Sequence, residues 1–234
     1  MPVVEIRYTD LRLEDSALKK LRELLSQDER DRCQRAKFPT VERRFLASRG
    51  MLRFILGETL HCDPREIQFD TAVGGKPFIA GRGSPPPFRF SASHSGDLFV
   101  VGLSENFEIG VDIERLRQEY QPEPIVKRFF SPNEYKTWLA FPENQRQQAF
   151  FRAWTRKEAY LKGTGKGIAG LQEIEISFEP NQSRALLSHS IDPLEADRWS
   201  FLDLSEYEGL EGFVGCLATP IPVDHIKVSH AGIG

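Results

Sequence analysis

Leu52, Ile55, Leu56 and Leu60 recur at helical spacing and predict an amphipathic helix on which Arg49 and Arg53 are i, i+4 neighbours. Further along, the period shortens. Residues 88–92 alternate as a strand does, and residues 98–103 are continuously apolar, the pattern of a strand covered on both faces. Between them, Ser91-Ala92-Ser93-His94-Ser95-Gly96 reads as a polar, glycine-terminated connection. A further strand follows Ser104-Glu105-Asn106, so residues 98–103 are expected to pair with it in an antiparallel hairpin. Ser131-Pro132-Asn133-Glu134 has the form of a capping box with proline at the first helical position, opening a short helix through Trp138 and Leu139. A longer helix is expected from Pro142 or Glu143 to Lys162, with Phe150, Phe151, Trp154 and Leu161 as its apolar stripe and Gly163 as its C-cap. Strands return at 174–178, near 199–204 and at 212–218, while Gly74-Gly75-Lys76-Pro77 is a turn and residues 81–87 form a proline-rich loop. Helical segments mixed with a few strands define the class as α+β.

Composition adds bounds. The 234 residues carry a net charge of −3 and are 40% hydrophobic and 28% charged, as in a globular protein with a core of its own. No run approaches a membrane span, and Met1-Pro2-Val3-Val4-Glu5 has no basic segment leading into an apolar one, so a cytoplasmic protein is expected. Cys33, Cys62 and Cys216 lack metal-binding or disulfide spacing, and the histidines lack the spacing of a helical metal pair. Charge is distributed unevenly. Residues 30–53 hold eight Arg or Lys against Asp31 and Glu42, a local charge of +6 that leaves −9 for the rest. A solvated basic face and an anion site for phosphates both fit this stretch. The negative balance elsewhere and the lack of interleaved aromatics argue against nucleic-acid binding.

Three segments hold residues suited to phosphate chemistry. In Ile109-Gly110-Val111-Asp112-Ile113-Glu114, strand alternation puts the aliphatic side chains on one face and Asp112 and Glu114 on the other. Two neighbouring carboxylates repel unless a cation or proton lies between them, although an ordinary acidic solvent-facing strand has the same pattern. Trp154, Glu158 and Lys162 follow at successive i, i+4 positions; alone, the last two read as a weak surface ion pair. In combination they add a third carboxylate and a lysine, a set suited to Mg²⁺ and phosphate oxygens. Ser93 and His94 offer hydrogen bonds to phosphate. A catalytic triad has no G-x-S-x-G support, and no Walker or G-x-G-x-x-G loop is present.

Taken together, Gly75-Lys76-Pro77, Phe90-Ser91-Ala92-Ser93-His94-Ser95, Ile109-Gly110-Val111-Asp112-Ile113-Glu114, Phe129-Phe130-Ser131-Pro132-Asn133-Glu134-Tyr135 and Trp154-Thr155-Arg156-Lys157-Glu158-Ala159-Tyr160-Leu161-Lys162 resemble the Sfp-type 4'-phosphopantetheinyl transferases. They occur in that family's order over about residues 43–168, and Arg43-Arg44-Phe45-Leu46-Ala47-Ser48-Arg49-Gly50 looks most like its cyanobacterial members. The resemblance implies a pseudo-twofold monomer of two α+β halves, 1–106 and 107–234, with coenzyme A and Mg²⁺ between them. It implies transfer of 4'-phosphopantetheine to an apo acyl carrier protein or carrier domain. It makes Asp112, Glu114 and Glu158 the metal ligands and Lys162 a pyrophosphate ligand, with Asp112, Glu158 and Lys162 as the catalytic set. Ser93 and His94 would contact the phosphates, Lys76 and Pro77 would line the adenine pocket, and Arg44 and Arg49 would take the 3'-phosphate. Ser91 departs from the family pattern, which has asparagine there. A Mg²⁺-dependent phosphohydrolase and a non-catalytic coenzyme A binder are the alternatives.

Overall fold

A computed structural model describes residues 3–80, 88–117, 120–223 and 225–233; the loop expected at 81–87 lies outside them. The first half runs β1 (Val3–Asp10), α1 (Asp15–Leu24), α2 (Gln27–Gln34), α3 (Pro39–Leu60), β2 (Gln68–Thr71), β3 (Pro77–Ala80), β4 (Phe88–Ser95) and β5 (Leu98–Glu105). The second runs β6 (Gly110–Arg115), α4 (Glu123–Phe129), α5 (Pro132–Ala140), α6 (Glu143–Thr164), β7 (Ile174–Ile176), β8 (Leu186–His189), α7 (Glu195–Arg198), β9 (Ser200–Asp203) and β10 (Phe213–Thr219). Each half is a strand, three helices of which the third has 22 residues, a hairpin, and two further strands, the second half adding the short α7 before β9. Sheet order repeats as well: β1-β5-β4 in one half corresponds to β6-β10-β9 in the other, with antiparallel pairing throughout. This is the pseudo-twofold α+β arrangement. The last strand, β11 (His225–His230), returns to the first sheet and pairs in parallel with β1.

The layers follow from strand alternation. On β5, Phe99, Val101 and Leu103 pack with Leu21, Met51 and Ile55 of α1 and α3, whereas Val100 faces Ile109, Val111 and Ile113. The two sheets thus lie face to face. On β10, Val214, Cys216 and Ala218 turn to Phe150 and Tyr160 of α6, while Leu217 joins the core between the sheets. The order is helices, sheet, sheet, helices, and each fully buried Leu, Ile or Phe contributes about 1.5–3 kcal/mol.

Three sequence expectations change. Residues 98–103 do not pair with the following strand: β5 pairs with β4 and β1, and the chain then crosses into the second sheet as β6. A strand with both edges occupied has no room for that hairpin; Ser104 Oγ donates to Phe107 O at 2.6 Å and Asn106 takes φ +65° where the chain crosses. The segment 91–95 is strand, not connection, and the turn is Gly96 at φ +59°. Finally, α6 runs past Gly163 to Thr164 and is capped by left-handed Gly165. Gly163 is required by packing, since a Cβ there would lie 2.6 Å from Trp199. The capping box forms as expected, with Glu134 N to Ser131 Oγ at 3.1 Å and Ser131 N to Glu134 Oε2 at 2.7 Å. All three cysteines are free, Cys33 and Cys216 buried and Cys62 exposed.

Candidate active site

The alternation of β6 that buries Val111 and Ile113 between the sheets turns Asp112 and Glu114 toward α6. The helix comes unusually close. A Cβ on Gly110 would lie 1.8 Å from Ala159 O and 2.5 Å from Gly163 N, so glycine alone admits this contact. It brings Glu158 and Lys162, one helical turn apart, to the two β6 carboxylates. Gly110→Ala should push α6 away and lower stability by about 1–3 kcal/mol. A melting curve checks this, and an unchanged melting temperature would sink it.

Lys162 Nζ lies 2.7 Å from Asp112 Oδ1 and 3.0 Å from Ser93 Oγ. Ser93 Oγ itself donates to Asp112 Oδ1 at 2.7 Å and accepts from Ile113 N at 3.4 Å. Ser93 is buried, and its hydroxyl serves Asp112 and Lys162. Asp112 Oδ2 is buried and has no hydrogen-bond partner among the described residues. Burial pushes the Glu158 carboxyl up from its ordinary value, the Asp112 charge adds to this and Lys162 opposes it. Burial raises Glu114 too, against a 2.7 Å hydrogen bond from Ser95 Oγ and with Asp112 adding to the rise. Neighbouring negative charge thus adds to the rise at both glutamates, from Asp112 and Glu114 at Glu158 and from Asp112 at Glu114.

Among the described residues no group of three or more His, Cys, Asp or Glu side chains converges into a ready metal cage. The donors nevertheless suit Mg²⁺. This ion takes one or two carboxylates together with substrate phosphates and waters, and the unpartnered Asp112 Oδ2 is the kind of oxygen it takes.

His94 lies on the opposite face of β4 from Ser93 and is exposed. Loss of surrounding water lowers its pKa most, followed by the Arg44 and Lys162 charges. Arg44 is half-exposed, 3.7 Å from Asp97. Arg49 is engaged elsewhere: it pairs with Glu29 at 3.4 Å and covers the Phe69 ring at 4.9 Å. The structure therefore brings Arg44, but not Arg49, to His94. Lys76 donates to Glu108 Oε2 and to Ile109 O, both at 3.0 Å, and anchors the β2–β3 turn to the start of β6. Trp154 belongs to an aromatic cluster with Phe129, Phe130 and Phe150.

A cavity of about 240 Å³ is lined by Gly74, Gly75, Lys76, Pro77, Glu158 and Lys162, so turns from both halves enclose it. Gly74 and Gly165 touch backbone to backbone, with no space for a Cβ at Gly74. A larger cavity of about 1100 Å³ shares Lys76, Pro77 and Phe90 with it but reaches none of Asp112, Glu114 or Glu158. Glu108, Gly110 and Ser95 have site-building roles that the sequence reading did not assign. The period-two recurrence of Ser91, Ser93 and Ser95 is the signal that marks the last of them.

The two repeated α+β halves thus place carboxylates, a lysine and a glycine-walled cavity near their seam. The family is specific: residues 13–106 match the 4'-phosphopantetheinyl transferase N-terminal family and residues 108–214 the 4'-phosphopantetheinyl transferase superfamily. The chain is 42% identical over 190 residues to the 4'-phosphopantetheinyl transferase HetI of Nostoc, covering 81% of this chain and 77% of that one. It is 35% identical over 176 residues to a putative 4'-phosphopantetheinyl transferase of Synechocystis, 75% and 70% of the two chains. With the 4'-phosphopantetheinyl transferase Sfp of Bacillus subtilis it shares 30% identity over 162 residues, 69% and 70%. The chain belongs to the Sfp-type 4'-phosphopantetheinyl transferases and is an enzyme of that family, similar to its cyanobacterial members.

Proposed function

We propose that this enzyme moves the 4'-phosphopantetheine group of coenzyme A onto a serine of an apo acyl carrier protein or synthase carrier domain, with Mg²⁺, and releases 3',5'-ADP. The observation that carries this reading is the convergence of Lys162 on Asp112, whose Oδ2 has no partner among the described residues, with Lys162 itself lining a cavity together with Glu158 and the Lys76-Pro77 turn. The carrier's serine oxygen attacks the β-phosphorus of coenzyme A. An O–P bond forms, the bond from the β-phosphorus to the bridging oxygen breaks, and 3',5'-ADP leaves with that electron pair. Since the nucleophile comes from the partner, the enzyme's work is positioning and charge stabilisation. Asp112, Glu114 and Glu158 are the residues to hold Mg²⁺, which when bound neutralises phosphate charge. Lys162 donates to the pyrophosphate, and the Arg44 charge, with His94 as a hydrogen-bonding neighbour, forms the outer end for the remaining phosphate. Glu158, its pKa raised by burial, is suited to take the serine proton directly or through water.

Lys127 and Arg128 on α4 supply positive charge for an acidic carrier; Lys127 lies over Tyr135 and Arg128 over Phe129, pairing charge with apolar surface. Among the described residues no helix is long and apolar enough to cross a membrane. The deciding experiment is intact mass spectrometry of an apo acyl carrier protein incubated with the enzyme, coenzyme A and Mg²⁺, alongside a chelator control. A gain of one phosphopantetheine mass, lost with chelator, is expected. Consumption of coenzyme A without modification of any carrier would instead indicate a hydrolase. Glu158→Gln should lower turnover about 10²- to 10⁴-fold while coenzyme A still binds, and unimpaired turnover would remove Glu158 as the base.

A further inference from the structure

β4 and β6 belong to different sheets, one from each half, and serines close the seam between them. Ser91, Ser93 and Ser95 accept from the backbone amides of Val111, Ile113 and Arg115 at 3.0, 3.4 and 3.0 Å. The hydroxyls take the place of strand carbonyls, which accounts for three buried serines on alternate positions of one strand. A serine hydroxyl has one proton to donate as well. Ser93 gives it to Asp112 Oδ1 and Ser95 gives it to Glu114 Oε2, both at 2.7 Å. Each is the carboxylate one residue before the amide that the same serine accepts from. At Ser91 the corresponding residue is Gly110, which has no side chain. The same device therefore occurs twice with a carboxylate and once without.

We infer that Ser95 is a positioning residue that fixes the Glu114 carboxylate from the opposite half, committing one of its oxygens and restricting where the other can be offered to a divalent cation. Glu114 has three side-chain torsions and stands near the end of β6, so it has more freedom to lose than Asp112. Outer partners that orient metal-binding carboxylates typically change metal affinity 10- to 100-fold when removed. The inference rests on the reading of Glu114 as a cation ligand.

The test is a titration of the full chain with Mn²⁺ in the presence of coenzyme A, following free Mn²⁺ by electron paramagnetic resonance. Ser95→Ala should weaken Mn²⁺ binding about tenfold or more. Ser95→Thr, which keeps the hydroxyl, should stay within about threefold of the parent. Ser91→Ala removes the same kind of amide acceptor with no carboxylate attached; it should lower the melting temperature much as Ser95→Ala does and leave Mn²⁺ affinity alone. With Glu114→Gln already present, Ser95→Ala should add nothing further. Should Ser95→Ala not fold, Ser95→Cys, similar in size but a weak donor, carries the same comparison. Equal Mn²⁺ affinities for the Ser95 and Ser91 variants, with Glu114→Gln weakened, would overturn the positioning role and leave the ligand reading intact. Unchanged affinity in Glu114→Gln would overturn both.

Discussion

Asp112→Asn should lower kcat/KM for carrier modification about a thousandfold, or roughly 4 kcal/mol of transition-state stabilisation, while the protein melts within a few degrees of the parent. The asparagine keeps the shape of the side chain, and its oxygen can still accept from Ser93 and Lys162 as Asp112 Oδ1 does. What changes is the second atom. The unpartnered Oδ2 becomes an amide that donates, where the proposed function needs an oxygen for a cation. The local charge also becomes more positive, because Lys162 loses its counterion. Stability should change little because Lys162 is partly exposed and its ammonium can turn to water. Steady-state kinetics with a holo-carrier readout, paired with a melting curve, tests both halves of the expectation. A loss below tenfold would show that neither the Asp112 charge nor its free oxygen enters the reaction, and a collapse in melting temperature would make it a structural residue.

Where the chemistry requires particular residue types at fixed spacing, the sequence could be read directly. Asp112 and Glu114 sit two apart on one strand face and Glu158 and Lys162 sit four apart on one helix, so each pair is a local fact. Which pair meets which is not local. The meeting depends on Gly110, whose missing Cβ admits Ala159 and Gly163, and an isolated glycine inside a strand pattern says only that something approaches closely. Ser91-Ala92-Ser93-His94-Ser95 was misread for a related reason. Serine commonly marks turns because its hydroxyl competes for backbone groups, and here those hydroxyls satisfy the amides of a strand some 20 residues away. Gly163 had the place and type of a helix cap, yet its constraint comes from Trp199, far along the chain. Arg49 and Arg44 look alike in sequence; only the fold shows that Glu29 and Phe69 occupy the first.

The second large effect lies away from the cleft. Glu134 and Lys157 form a buried pair 3.0 Å apart, at 3% and 0% side-chain exposure, joining α5, α6 and β7. Glu134 also accepts from Ser131 N and Ile176 N at 2.7 Å each, and Lys157 donates to Leu171 O and Ile174 O at 3.2 and 2.6 Å. Burial pushes the Glu134 carboxyl up and the Lys157 ammonium down, and each partner opposes that drift in the other. Glu134→Gln preserves the shape, but its single oxygen can serve only one of the Ser131 and Ile176 amides, and it leaves a buried ammonium without its counterion. About 3–5 kcal/mol should be lost, lowering the melting temperature by about 10–15 °C. Lys157→Met alone should cost about as much by stranding the carboxylate. Together the two changes remove both charges, so the double variant should lose clearly less than the sum of the singles; additive losses in denaturant titrations would disprove the pairing argument. Lys157 precedes Glu158 on α6, roughly 100° around the helix, so burial of position 157, whether charged or apolar, sets the face from which Glu158 reaches the seam. Activity of the folded double variant should therefore stay within about threefold of the parent, the converse of Asp112→Asn. A double variant that folds but is inactive would mean that the charges, and not the packing they organise, hold α6 in register with β6.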